Sequence, residues 1–147
     1  MKDRKVIMNI KKYNLVPIFE FLGKINLVGA ASRARTKLNK EIGNAINELQ
    51  SDEVALAEEL GGRVNDEGRV VFVSEEDLNE TEAAEYSKKK HAEFTNAQSD
   101  LRQEEAIFNE ATKDQFNRLK NALYDYDEKL SGQDATVYDI LLDALEA

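Results

Sequence analysis

Two stretches of helical apolar spacing, parted by a short stretch of alternating spacing, constrain this chain more than any other feature. Ala34, Leu38, Ile42, Ala45, Leu49, Leu56 and Leu60 recur at intervals of four, four, three, four, seven and four. That pattern is one face of an α-helix, and Gly61-Gly62 closes it as a glycine at a helix C-terminus does. A long helix is predicted over 30–60. Gly43 lies beside the stripe, where the missing Cβ suits close packing. Residues 63–73 then change period. Two β-branched runs flank Asn65-Asp66-Glu67-Gly68, a hairpin signature with Gly68 suited to positive φ.

The second helical stretch is predicted over 75–130. Ser74-Glu75-Glu76-Asp77 reads as its capped start. Phe94, Ala97, Leu101, Phe108 and Ala111 fit one heptad register, and Phe116, Leu119, Leu123, Tyr126 and Leu130 fit another. The step from Phe108 to Phe116 is eight residues, so the seam changes register there.

Shorter elements flank these. Residues 5–10 read as a strand, the natural third partner of the hairpin, since two strands alone are marginal in water. Residues 14–26 read as a short helix capped by Asn14, with Pro17 in its first turn. Residues 134–146 read as a last helix capped by Asp134, with Val137, Ile140, Leu141 and Ala144 inward. The fold class expected is mainly α (α+β), in one domain over 1–147. It is a long antiparallel helical hairpin or coiled coil, with a small β-hairpin or three-stranded sheet and short flanking helices. The second long helix overhangs the first by roughly 30 Å at 1.5 Å per residue. A homo-oligomer through the long helices is one way to cover the excess.

Charge is divided unevenly. Residues 1–40 hold ten basic and two acidic side chains, so a whole-chain charge of −9 leaves −17 on the remaining 107 residues. Three readings follow: a basic face for nucleic acid or another anion, an acidic part for a basic protein surface, or mutual attraction of the two parts.

Catalytic chemistry finds little purchase. Cysteine is absent and His91 is the one imidazole, which removes thiolate nucleophiles and His-rich zinc sites. The basic run around His91 reads as a solvated helix face. No phosphate-cradling glycine loop, dinucleotide fingerprint, nucleophile elbow or HExxH motif occurs. Tyr124-Asp125-Tyr126-Asp127-Glu128 lacks the alternation and central glycine of a calcium loop. The expectation is a non-enzyme without metal or cofactor. No apolar run reaches the length of a membrane span and no signal-peptide core follows the start, so a cytoplasmic, membrane-free protein is expected.

Two surface groups stand out as candidate contacts. Arg33, Lys37 and Lys40 share a stripe roughly 130° from the Ala34/Leu38/Ile42 face at 100° per residue. Arg35 lies on the flank of that face, where its stem can cover apolar surface. Lys11 and Lys12 extend the patch. The patch reads either as an anion contact or as a solvated face paired with acids of the second long helix, and the pairing is preferred. Asp139, Asp143 and Glu146 share one face of the last helix, read as solubilising.

Asn14-Leu-Val-Pro-Ile-Phe-Glu-Phe-Leu22 and Ala31-Ser-Arg-Ala-Arg-Thr-Lys-Leu38 resemble the start of a family of small bacteriophage and prophage proteins of unknown function from Gram-positive hosts. The resemblance implies a viral protein made in a Firmicute cytoplasm, with no catalytic residues to carry over. The preferred expectation is an interaction protein binding a host protein, for instance to inhibit a defence or nucleic-acid-processing enzyme. A tail or assembly component is the second expectation, and nucleic-acid binding through the basic N-terminal part is the third.

Overall fold

The computed structural model describes residues 6–110 and 114–147. It is mainly α with two small antiparallel β elements. In chain order these are β1 (Val6–Lys11), a 3-10 turn (Lys12–Asn14), α1 (Leu15–Lys24), α2 (Gly29–Glu59), β2 (Gly62–Val64), β3 (Val70–Phe72), α3 (Glu80–Gln103), β4 (Glu105–Glu110), α4 (Asp114–Tyr124) and α5 (Gly132–Glu146). The chain gathers into two compact units, residues 1–46 with 105–147 and residues 47–104. The length alone leaves such a division unseen.

In the first unit β1 pairs antiparallel with β4, Met8 opposite Phe108 and Ile10 opposite Ala106. Alternation sends Met8, Ile10 and Phe108 inward, while Ile7, Asn9 and Ile107 face out. On the inner side α5 packs against β1, and α1 and α4 pack against α5. Leu15, Ile18 and Leu22 of α1, Leu119 and Leu123 of α4, and Leu141 of α5 are fully buried. Each contributes about 1.5–3 kcal/mol by leaving water. Phe21 meets the Tyr138 ring edge-on at 6.3 Å, and the Tyr138 hydroxyl donates to the Leu123 carbonyl. Gly43 does allow close packing: a Cβ there would sit 3.3 Å from the Phe19 ring.

In the second unit the end of α2 runs antiparallel to α3. Glu53 lies beside Gln98 and Arg102, and Ala57 lies beside Phe94. The core is small: Ala57, Phe72 and Phe94, with Leu56, Leu60, Val70 and Tyr86 against it. The β2–β3 turn is held by Asn65, whose Oδ1 accepts from the Glu67 and Arg69 amides at 3.0 and 2.9 Å. Gly68 takes φ 79°, the left-handed conformation that the turn requires.

Several expectations need correction. No single helix spans 75–130. It starts late because Ser74 closes a local turn onto the Glu76 amide, whereas Asn79 is the N-cap, its Oδ1 accepting from the Glu82 amide at 2.8 Å. It stops at Gln103 because Glu105–Glu110 alternates outward and inward and finds β1 as a ladder partner. The eight-residue step from Phe108 to Phe116 is the passage from β4 to α4, not a shift of coiled-coil register. Ala111 and Lys5, assigned to the heptad and the first strand, lie outside the described residues. The three-stranded sheet is likewise replaced: β1 pairs with β4, and β2–β3 stays a two-stranded hairpin. Asn14 precedes α1 but makes no side-chain cap bond, since a 3-10 turn leads directly into the helix. Helix α5 begins at Gly132, so Asp134 sits in its first turn, where it pairs with Lys24 at 2.7 Å instead of capping.

Candidate anion-binding site

The site lies in the first unit and is built on α2. Leu38 and Ile42 point inward and fix the rotation of the helix. Arg33, Lys37 and Lys40 are thereby set on the exposed side. On α4 the buried Phe116, Leu119 and Leu123 do the same, and they leave Gln115 half-buried on the flank and Arg118, one turn on, exposed on the far side. The two helices enclose a cavity of about 690 Å³ lined by Ala30, Ser32, Arg33, Ala34, Thr36, Lys37, Lys40, Gln115 and Arg118. Four cations therefore face one concavity, and among the described residues no carboxylate lines it.

The local electrostatics point the same way. None of Arg33, Lys37, Lys40 and Arg118 forms an ion pair among the described residues. Ala30 belongs to the first turn of α2, the positive end of the helix dipole, and no acid occupies that turn; the Ser32 amide donates to the Val28 carbonyl at 3.4 Å. Ser32 and Thr36 supply hydroxyls. A smaller cavity alongside, lined in part by Lys37, Glu41 and Glu110, does hold acids. The Glu110 carboxylate is engaged there, accepting from the Phe116 amide at 3.0 and 3.1 Å and so anchoring the start of α4.

The expected patch divides into parts. Arg33, Lys37 and Lys40 come together as their spacing predicts. Among the described residues the preferred pairing with acids of a second long helix does not form; the neighbouring helix brings a fourth cation. Arg35 is not part of the site. Its Nη1 donates to the Leu22 and Ile25 carbonyls at 3.0 and 2.8 Å, and its Nη2 donates to Ser32 Oγ at 3.2 Å. It closes the C-terminus of α1, where carbonyls lack helical partners. Lys11 belongs to the β1–β4 ladder, 3.6 Å from Glu105, its cross-strand neighbour. Lys12 sits in the 3-10 turn and has an interaction of its own there. Arg118 is the residue sequence reasoning missed. Its one local signal is its place opposite Phe116, Leu119 and Leu123, and nothing local says which helix it will face.

Asp139, Asp143 and Glu146 are exposed on α5, as their shared face implies. Glu146 also accepts from the Tyr124 hydroxyl. That hydrogen bond, more than desolvation or the carboxylate's charge, raises the Tyr124 pKa above the usual 10. The neutral phenol is the favoured form. Its contribution to stability is complete below pH 10 and is lost as pH rises through the elevated value. In an ultraviolet pH titration, Glu146→Gln is expected to bring one tyrosine back toward pH 10; an unchanged curve would refute the pairing.

His91 is half-buried and not on a fully solvated face: its ring meets Phe72 edge-on at 5.0 Å. Among the described residues no group of three or more His, Asp or Glu side chains is placed to hold a metal ion. No described helix is long and apolar enough to cross a membrane. Compared with known proteins, the chain matches no family model, no curated protein and no solved structure.

Proposed function

We propose that this protein is a non-catalytic binding protein that holds nucleic acid by its phosphate backbone. The observation that carries the reading is the convergence of Arg33, Lys37, Lys40 and Arg118 on one cavity that no carboxylate of the described residues lines. Cations left without partners in a concavity keep their full attraction for an external anion, and hydroxyls beside them add neutral donors. Among the described residues no aromatic side chain lines the cavity to stack a base. The contacts available are therefore those that position a backbone, not those that read a sequence. Charge distribution supports the same reading. The second unit holds sixteen acids and six bases, which is −10 of the chain's −9, so the unit carrying the cavity has a formal charge of +1. It does not repel phosphate as the chain average suggests. A host-protein partner, preferred on sequence grounds, has no counterpart in this cavity, whose cations select anions. The setting proposed with this function is the one the opening segments imply, a phage protein made in a Firmicute cytoplasm.

The test is fluorescence anisotropy with a labelled DNA duplex across a salt series. Four phosphate contacts give a slope of log K against log salt of about −3.6, and each neutralised cation reduces it by about 1. Arg33→Ala, Lys37→Ala and Arg118→Ala combined are expected to abolish measurable binding at low salt. No binding by the unaltered chain at low salt, or binding indifferent to the triple variant, would overturn the proposal.

A further inference from the structure

We infer that the second unit carries a separate docking groove for a basic amphipathic helix of a partner protein. The groove lies between the end of α2 and the end of α3, and its cavity is about 410 Å³. Leu56, Ala97 and Leu101 form its floor, each still partly open to solvent. The rim is acidic: Asp52 and Glu59 on α2 and Asp100 on α3. Among the described residues no cation lines the groove. Arg102 is the nearest base in sequence, and the Glu53 carboxylate holds its Nη2 at 3.0 Å.

Shape and charge together select the occupant. Two antiparallel helices leave a lengthwise furrow that a third helix can fill. Asp52 to Glu59 spans about 10 Å at 1.5 Å per residue, which is about two helical turns of a ligand. Apolar side chains of that ligand at i, i+3, i+4 and i+7 meet the floor, while its flanking Lys or Arg meet the rim. The formal charge of −10 on this unit adds long-range attraction for such a helix. Nucleic acid is excluded by the same charge, so this groove and the cation-lined cavity take different classes of ligand.

The probe is a labelled peptide of about 18 residues, with Leu at helical spacing and Lys elsewhere, titrated with the full chain at physiological salt. Saturable binding is expected, with a scrambled peptide of the same composition about tenfold weaker. Asp52→Lys with Asp100→Lys is expected to weaken binding at least about tenfold, while Glu75→Lys with Glu76→Lys, equal in charge but outside the groove, changes it less than about threefold. Ala97→Glu separates docking from mere attraction. It adds an acid yet fills the floor, so seated docking predicts weaker binding and diffuse charge attraction predicts tighter. Circular dichroism confirms that each variant keeps its helix content. Equal losses from the two lysine pairs, tighter binding by Ala97→Glu, or no saturable binding overturns the inference.

Discussion

Replacing Phe72 by alanine is expected to cost about 3–5 kcal/mol and to open residues 62–72 while the β1–β4 ladder keeps its protection. Phe72 is the largest contributor to a core of three buried residues. Its ring lies 5.0 Å from His91, edge-on, and 6.3 Å from Phe94 at 56°. Aromatic pairs in such geometries add about 0.5–1.5 kcal/mol to their area burial. Gly62 shows how closely the ring is seated, since a Cβ there would approach Phe72 Cε1 to 2.4 Å. A hairpin of two three-residue strands has no stability of its own. Phe72 ties it to Ala57 on α2 and Phe94 on α3, so truncation removes the tie instead of leaving a tolerated void. Hydrogen exchange read by mass spectrometry resolves the effect along the chain. Amides of β2, β3 and the facing turns of α3 should exchange near the unfolded rate, and those of residues 6–11 and 105–110 should not. Phe72→Leu keeps most of the volume and should cost less than about 1.5 kcal/mol. Uniform loss of protection, or none, would show that the hairpin is held by something else.

That core also shows why some elements could be read in the sequence and others could not. Helix α2 was legible end to end because its stripe is local: seven apolar residues at helical spacing and a Gly61-Gly62 stop suffice. The β2–β3 hairpin was legible because Asn65 and Gly68 carry turn chemistry within four residues. Strand β4 was not. Phe94, Leu101 and Phe108 stand seven apart, which fits a heptad as well as it fits a helix followed by a strand. No glycine or proline marks the break at Glu104. What makes 105–110 a strand is pairing with residues about a hundred positions earlier, Met8 against Phe108, and such tertiary context overrides local propensity. The placement of β1 failed for the same reason, since two candidate ladders existed and only long-range packing chooses between them.

The candidate site divides along the same line. The rotation of α2 placed Arg33, Lys37 and Lys40 on one side from sequence alone. Arg118 needed the packing of α4, and Arg35 needed the end of α1. Two residues along a helix differ by about 200° in direction, so Arg33 and Arg35 were never on one face. The fold leaves Arg33 lining the cavity and uses Arg35 to close the end of α1.

Arg35→Ala is accordingly expected to lower stability by about 2–3 kcal/mol, with affinity for duplex DNA unchanged. Hydrogen bonds from a charged donor contribute about 1.5–3 kcal/mol, and this guanidinium makes two to carbonyls and one to a hydroxyl in a partly buried setting. Removing it leaves the Leu22 and Ile25 carbonyls at the end of α1 unpaired. Arg35→Lys should recover little, because one ammonium cannot span the positions that the planar fork reaches. Arg33→Ala should do the reverse. It is exposed and unpaired, so stability should stay within about 0.5 kcal/mol, while the salt slope of DNA binding falls by about 1. Urea unfolding and anisotropy on the two variants read both quantities. Should Arg35→Ala keep its stability and lose DNA, the guanidinium would be a ligand contact and the division of labour drawn here would be wrong. Should Arg33→Ala lose stability instead, the cation-lined cavity would be part of the scaffold. The two arginines stand one helical half-turn apart, so the comparison holds net charge and residue type constant and varies only the face.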